Sequence, residues 1–241
     1  MFMSNRTQRS KSKIIILALI LLLPGFLYIA VNRFGSNEYV SLPVFGEKKL
    51  SGELKRNWGR EYPDTIFHTL TPIAFKDIDG KGLTFPVSDT SITVTHLFYT
   101  KDESFSRLML DNVNALSSRF AANPQIRFFS ISVDPTEDVG RLRQMLKPYS
   151  QWEQRHWEIG MHPSVDIFSY AKDELLVDAM IDPADSSRFL ISNQMILVDS
   201  KRRIRGFYDI SQKGEVDRLE DEIKLLMVEE IRNRPLKLEK R

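Results

Sequence analysis

Four histidines, eight methionines and no cysteine limit what this chain of 241 residues can do chemically. Without a thiol there is no disulfide, no thiol–disulfide exchange and no thiolate ligand for a metal. His156, Met161 and His162 lie close together, and imidazole with thioether is a ligand set that suits soft copper(I). Their spacing fits no specific metal template. His96 sits inside an apolar run, where a hydrogen-bonded core histidine is the expected reading, and His68 stands without an evident partner. Asp102 and Glu103 are adjacent carboxylates of the kind acid–base chemistry uses, yet acids in the first turn of a helix ordinarily serve its dipole and its cap. Asp134 and Asp138 could ligate a hard cation, but Asp134 is already accounted for as a helix cap. No Gly-x-Ser-x-Gly, phosphate-loop, zinc or nucleotide motif is present, so the sequence gives no positive sign of an enzyme.

The elements that must position these residues are easier to read. Ile92 to Tyr99 is β-branched, aromatic and apolar apart from Thr93, Thr95 and His96, a pattern for a central strand. Thr100-Lys101-Asp102-Glu103 matches a capping box. Phe105, Leu108, Met109, Val113, Leu116 and Phe120 then recur at helical steps. Ile126 to Val133 is a second buried strand, ended by Asp134-Pro135-Thr136-Glu137, which should cap the following helix. Val139, Leu142, Met145, Leu146 and Tyr149 line that helix, and a short helix is expected around Ser164 to Lys172. Ile73 to Ile78 and Leu83 to Phe85 flank an Asp79-Gly80 turn and predict a hairpin. Val177 to Ile191 reads as a long irregular segment. Gln194 to Val198 and Ile204 to Tyr208 predict a second hairpin, and Val216, Leu219, Ile223, Leu226 and Met227 a closing amphipathic helix. Parallel strands joined by helices, then an antiparallel hairpin and a last helix, form a thioredoxin-like α/β arrangement.

Ahead of this domain, Ile14 to Val31 is an uncharged apolar run of 18 residues, enough for a spanning helix, which needs about 17–25. Arg6, Arg9, Lys11 and Lys13 precede it, so the positive-inside rule places the N-terminus in the cytoplasm and the rest outside. The flank Ala30 to Ser36 is a poor signal-peptide cleavage site, which favours an uncleaved anchor. Gly35 to Asp64 mixes glycine, proline and charge and reads as a tether or extended arm, with Ser41 to Gly46 apolar enough to dock. The net charge of +2 is carried by the two ends: the remainder holds 25 basic and 31 acidic residues. A mildly acidic folded part speaks against nucleic acid as a partner.

Several short stretches, in this order and spacing, resemble the SCO/SenC family of membrane-anchored copper-delivery and cytochrome oxidase assembly proteins. They are Asp79-Gly80, Phe98-Tyr99-Thr100, Ser132-Val133-Asp134-Pro135, His156-Trp157-Glu158-Ile159-Gly160, Ile196-Leu197-Val198-Asp199 and Arg203 through Asp209. The resemblance implies a basic cytoplasmic N-terminus over 1–13, a transmembrane anchor over 14–31 and a linker or arm over 32–64. A thioredoxin-like SCO-type domain over 65–231 and a basic tail over 232–241 follow. It also implies a bacterial cytoplasmic membrane location with the domain on the outer, periplasmic side. The family holds copper with two cysteines in a C-x-x-x-C loop and one distant histidine. Those positions fall here on Lys101, Phe105 and Ile191. An ammonium and two hydrocarbons cannot coordinate copper, so neither a cofactor nor a catalytic residue is expected.

What remains is a degenerate site on an inherited fold. Lys101, Phe189 and Leu190 are the candidates for contact with a protein partner, such as a respiratory oxidase subunit or an SCO paralogue. Lys101 otherwise reads as a solvated loop lysine and Phe105 as helix core. Ile191 is expected to pack toward Phe105 and close the old site. The alternative is a copper protein using His156, Met161 and His162 as replacement ligands.

Overall fold

The computed structural model describes residues 6–34, 41–57, 60–86, 91–149 and 151–233. Residues 234–241 of the expected basic tail, and Gly35-Ser36 of the flank weighed as a cleavage site, lie outside this set. The chain divides into two units, residues 1–40 and 41–241. The first holds one helix, α1 (Arg6–Phe34), which contains the uncharged run. Its described side chains are Lys13 and residues 16–30. Among the described residues no helix is long and apolar enough to cross a membrane. Ile16, Leu17, Leu19 to Leu23, Phe26, Leu27 and Ile29 are exposed.

The second unit is built on β1 (Lys48–Asn57), β2 (Arg60–Phe67), β3 (Ile73–Lys76), β4 (Gly82–Phe85), β5 (Ile92–Phe98), α2 (Glu103–Arg119), β6 (Ile126–Ser132), α3 (Val139–Leu146), β7 (Trp157–Gly160), α4 (Ile167–Asp173), β8 (Ala179–Asp182), β9 (Asp185–Ile191), β10 (Gln194–Val198), β11 (Ile204–Asp209) and α5 (Lys213–Asn233). The main sheet runs β11-β10-β5-β6-β7. β5, β6 and β7 are parallel, in register from Ile92 opposite Ile126 to Phe98 opposite Ser132, and β10 closes the other side antiparallel. Strand alternation splits the core in two. Val94, Phe98, Phe128, Trp157 and Leu197 pack with α2, α3 and α5, while Leu97, Tyr99, Phe129, Ile131 and Ile196 pack with the β3–β4 hairpin and α4. Gly160 lets Phe75 and Phe129 meet across β7, because a Cβ there would stand 2.9 and 2.7 Å from their rings.

Most elements lie where the sequence places them. β7 is an addition, a four-residue strand paired to β6 that the sequence offered only as a short landmark. Leu108, expected on the buried face of α2, is 44% exposed, and Leu110 takes the buried position. The stretch expected as a tether or arm is largely regular: β1 and β2 form an antiparallel hairpin with a register shift between Leu50 and Leu54. Leu50, Leu54 and Ile66 are exposed, and among the described side chains of the hairpin none is buried, so no period of burial could announce it. The segment before it does dock. Leu42 is buried, Phe45 meets Phe207 edge to face at 5.1 Å, and the Phe45 amide donates to the Ile204 carbonyl at 3.0 Å. His68 is partnered too, donating from Nε2 to the Glu174 carbonyl at 2.8 Å.

Arg205 fastens this segment. It is only 2% exposed and donates to the carbonyls of Leu42 (2.7 Å) and Pro43 (3.1 Å), to Asp199 (3.1 Å) and to Glu229 near the end of α5 (2.8 Å). One guanidinium thus joins the docked segment, the β10–β11 turn and the last helix. A lysine offers three donors from a single point and cannot cover that spread. Removing one member of a buried charge cluster costs roughly 3–5 kcal/mol, because the carboxylates left behind stay buried. Arg205→Met should therefore lose about that much unfolding free energy in denaturant titrations, with Arg205→Lys intermediate. A loss below 1 kcal/mol in Arg205→Met would show that the cluster holds nothing together.

Candidate functional site

In parallel neighbouring strands the C-terminal ends lie side by side, so the loops after β5 and β6 meet. Their junction is charged, hydrogen-bonded and largely buried. The Thr100–Glu103 capping box does not form. Asp102 caps α2 by accepting from the Phe105 amide at 3.1 Å, and Glu103 lies on the surface paired to Arg107 at 2.7 Å. Thr100 turns inward. Its amide donates to Glu137 at 3.1 Å and its hydroxyl donates to the same carboxylate in a short bond. Glu137 also accepts from the Ser132 hydroxyl at 2.7 Å and the Asp138 amide at 3.2 Å. A carboxylate 6% exposed is thereby satisfied by four donors drawn from both loops.

Asp134 also departs from its expected role. The cap of α3 is Asp138, which accepts from the Gly140 amide at 2.8 Å. Asp134 Oδ1 takes the amide and hydroxyl of Thr136 at 2.8 and 2.7 Å. Its Oδ2, sealed from solvent, has the Lys101 ammonium 2.6 Å away. Off the line of a hydrogen bond, that contact is chiefly one of opposite charges. Burial alone would raise the Asp134 pKa, but Lys101 and the two Thr136 donors outweigh it and hold the group below the usual carboxylate range. Lys101 is therefore the cationic half of an ion pair whose side chains are 41% and 1% exposed, rather than a solvated loop lysine.

The other two positions to which the resemblance assigns ligands part company. Phe105 is half-buried against the core between the sheet and α2, while Ile191 packs on the core beyond the opposite face. The expected Ile191–Phe105 closure is thus not made. Val177 to Ile191 is no irregular loop but the β8–β9 hairpin, with Ala179 opposite Ile191 and Ile181 opposite Phe189. Alternation along β9 turns Phe189 inward and Leu190 outward. Phe189 meets Tyr99 edge to face at 5.0 Å and Phe168 at 5.7 Å. It closes this side of the site and is too buried, at 8%, to offer a partner surface. Leu190 is 47% exposed and stands opposite the exposed Met180.

The alternative ligand set is dispersed in environment. Met161 is 1% exposed within the core, whereas His162 is exposed and donates from Nδ1 to the Pro135 carbonyl at 3.1 Å. His156 ends a 3-10 turn (Trp152–Arg155), and its carbonyl accepts from the Phe128 amide at 2.9 Å. Among the described residues no group of three or more His, Cys, Asp or Glu is arranged to hold a metal. Copper does not fit Lys101, Phe105 and Ile191, an ion-paired ammonium and two hydrocarbon side chains. His96 is a core histidine, as expected. Trp157 Nε1 donates to Ser130 Oγ at 2.8 Å, the Ser130 hydroxyl donates to His96 Nε2 at 2.7 Å, and Nδ1–H faces the Leu97 carbonyl at 3.3 Å. That network assigns a neutral ring.

No family model matches the chain, and no curated protein does. Solved structures do. A SCO1/SenC family lipoprotein from Bacillus anthracis superposes with a TM-score of 0.58 at 17% identity, over 66% of this chain and 95% of that one. BsSco, described as a member of the Sco family of cytochrome c oxidase assembly proteins, gives 0.56 at 17% over 67% and 94%. Arabidopsis thaliana ScoI, solved with copper bound, gives 0.51 at 22% over 69% and 99%. The fold of this chain is the thioredoxin-like α/β fold of these proteins, and the resemblance read from its short motifs is matched in three dimensions.

Two measurements test this description. Lys101→Met leaves the buried Asp134 without its cation, and because Lys101 is partly exposed the loss at neutral pH should be about 1–3 kcal/mol. The sign with pH is fixed. In the wild type the depressed Asp134 pKa contributes stability that is present above the unfolded value near 4 and fades in acid. In the variant burial pushes that pKa up, so the gap between the two proteins should narrow as pH falls toward and below 4. A gap independent of pH would mean that the pair contributes nothing. For His96, burial lowers the pKa from 6.5 to about 4, against a smaller opposing effect of the Leu97 carbonyl. The unfolded chain then binds the extra proton first, and stability should fall by up to about 3 kcal/mol between pH 6.5 and 4. His96→Gln should remove that slope in pH-dependent denaturant unfolding; an unchanged slope would assign it elsewhere.

Proposed function

We propose that this chain is a membrane-tethered, non-catalytic member of the SCO/SenC family that works by protein contact in the maturation of a respiratory cytochrome oxidase. The observation that carries this reading is the Lys101–Asp134 pair, which puts a fixed, neutralised cation where the family places a soft thiolate. The fold of the oxidase assembly protein BsSco and of a ScoI that binds copper supports the setting. The changed site supports a role without copper and without thiol exchange. In this reading α1 is the anchor. It is a 29-residue helix around the uncharged run Ile14 to Val31, with basic residues before the run and exposed apolar side chains among its described residues 16–30. The domain then lies outside the cytoplasmic membrane, where an oxidase subunit or a copper-handling paralogue is its partner.

The decisive experiment is co-purification from detergent-solubilised membranes. Oxidase subunits or a paralogue should be retained with the wild-type chain in fixed ratio. Recovery of the chain alone, together with unimpaired oxidase in a strain lacking it, would overturn the reading. Copper(I) should not survive a competing chelator on the purified protein. Stoichiometric retention, lost in His156→Ala or His162→Ala, would replace this reading with the copper-binding one. Protease added to intact spheroplasts should digest the domain, and protection until lysis would reverse the topology.

A further inference from the structure

The end of the domain opposite the site gathers apolar and basic side chains. β10 runs antiparallel to β5 with Val198 opposite Thr93, so the turn from Asp199 to Arg203 lies at the start of β5, whereas the site follows its end. α5 finishes at this turn, where the Ser200 amide donates to Glu230 at 2.8 Å. On α5, Leu225, Val228 and Ile231 recur at three-residue steps, on the side away from the buried Leu219, Ile223 and Leu226. Val228 is 41% and Ile231 63% exposed, and hydrocarbon left in water at this density marks an interaction surface.

The charges around this stripe are sorted. Two acids stand in the same turns, and the domain engages both: Glu229 is held by Arg205 and by the Leu42 amide at 3.3 Å, and Glu230 by Ser200. Exposed cations flank the stripe, Arg232 in the last turn and Lys201 next to Ser200. Lys48 and Arg203 meet over the ring of Phe67, at 5.9 and 5.7 Å. The sequence after the helix adds Arg234, Lys237, Lys240 and Arg241 against Glu239. Apolar side chains ringed by cations are what an interfacial helix presents to anionic lipid.

The chain enters the domain at this same end. Leu42, tied to Arg205 and Glu229, lies eight residues after Phe34, the last residue of α1, which is at most about 29 Å of extended chain. We propose that the end of α5 and the β10–β11 turn lie on an anionic lipid surface, Val228 and Ile231 entering its apolar boundary and Lys201 and Arg232 meeting lipid phosphates. The inference rests on the reading of α1 as a membrane anchor and adds the face that the domain turns to that membrane. An acidic protein would answer the cations too, but a short connection to an anchor keeps lipid always within reach. The Lys101–Asp134 pair, at the other end of the sheet, is then left clear of the bilayer for a protein partner.

The chain has no cysteine, so a single introduced cysteine carries a nitroxide label at one chosen place. The full-length chain is combined with nanodiscs of phosphatidylcholine, alone or with about 30% phosphatidylglycerol to charge the surface. Labels go on Ile231→Cys at the docking face, on Leu190→Cys in the β8–β9 hairpin and on Leu22→Cys in α1. At Ile231 the ratio of oxygen to nickel-chelate collisions should rise in anionic discs well above that at Leu190. It should fall back in neutral discs, and at about 1 M salt, where charges are screened beyond about 3 Å. Each cation at an anionic surface shifts such an equilibrium about fivefold, so Lys201→Gln with Arg232→Gln should move it roughly 25-fold toward water. A label at Ile231 as aqueous as that at Leu190 in anionic discs would overturn the proposal. So would a label shielded from both collision partners in either lipid, which would mean that protein covers the face. Leu22 reports on the anchor separately: a label in water there overturns the anchor reading, and lipid contact at Leu22 with an aqueous Ile231 overturns the docking alone. Ile231 is read in the same way in either case.

Discussion

The site depends on one buried carboxylate. Glu137 is inaccessible enough that its charge would cost several kcal/mol if its oxygens were unanswered. They are answered by Thr100, Ser132 and Asp138, which come from the ends of two parallel strands. Each loop alone is a short polar connection; together they make a fixed cage around one anion. With Thr100 held, Lys101 has little freedom to leave the neighbourhood of Asp134, and with Ser132 held, its hydroxyl also receives the Asp134 amide at 3.3 Å. The ion pair at the mouth is thus a consequence of the anion beneath it. The register of β5 on β6, which sets Phe98 opposite Ser132, is what brings the two loops to the same height.

That dependence explains which parts of the structure were legible in the sequence. The central strands and the three long helices of the domain announce themselves because one face or both are buried, and burial leaves a period of two or near 3.6. The β1–β2 and β8–β9 hairpins do not, because most of their described side chains are exposed and alternation carries no contrast there. The misplaced caps have a different origin. Thr100 and Glu103 stand at capping-box spacing, but so does Asp102 relative to Phe105, and local pattern alone cannot choose between them. The choice is made by Glu137, thirty-seven residues away from Thr100, which draws that side chain inward. Asp134 and Asp138 repeat the lesson. Asp138, adjacent to Val139, caps α3, while Asp134 is held by Thr136 and by Lys101 from the other loop.

The site itself was half legible. Its location followed from the strand-loop-helix junction and from the order of short motifs. That the chain offers no thiolate followed from composition. What Lys101 does there was hidden, because a loop lysine becomes an ion-pair donor only when a distant aspartate is buried beside it. Phe189 takes a role other than the one its sequence context suggests. A Phe-Leu-Ile run invites a surface reading when the segment is taken as a loop, and the same run becomes one core anchor, one outward leucine and one half-buried isoleucine once it is a strand.

A metal held between a loop, a helix start and a distant hairpin is a removable cross-link, so the stability and shape of such a face depend on loading. In this chain the corresponding links are covalently resident side chains. Lys101 joins its loop to Asp134, Glu137 joins the loop after β5 to the loop after β6, and Phe189 joins the hairpin to Tyr99 and Phe168. None of these links is a separable ion. A surface with a single, preorganised state loses the capacity to hand over cargo and gains in the affinity with which it can be recognised, because less order is imposed on binding. On physical grounds, links made by resident side chains favour a face that keeps one shape.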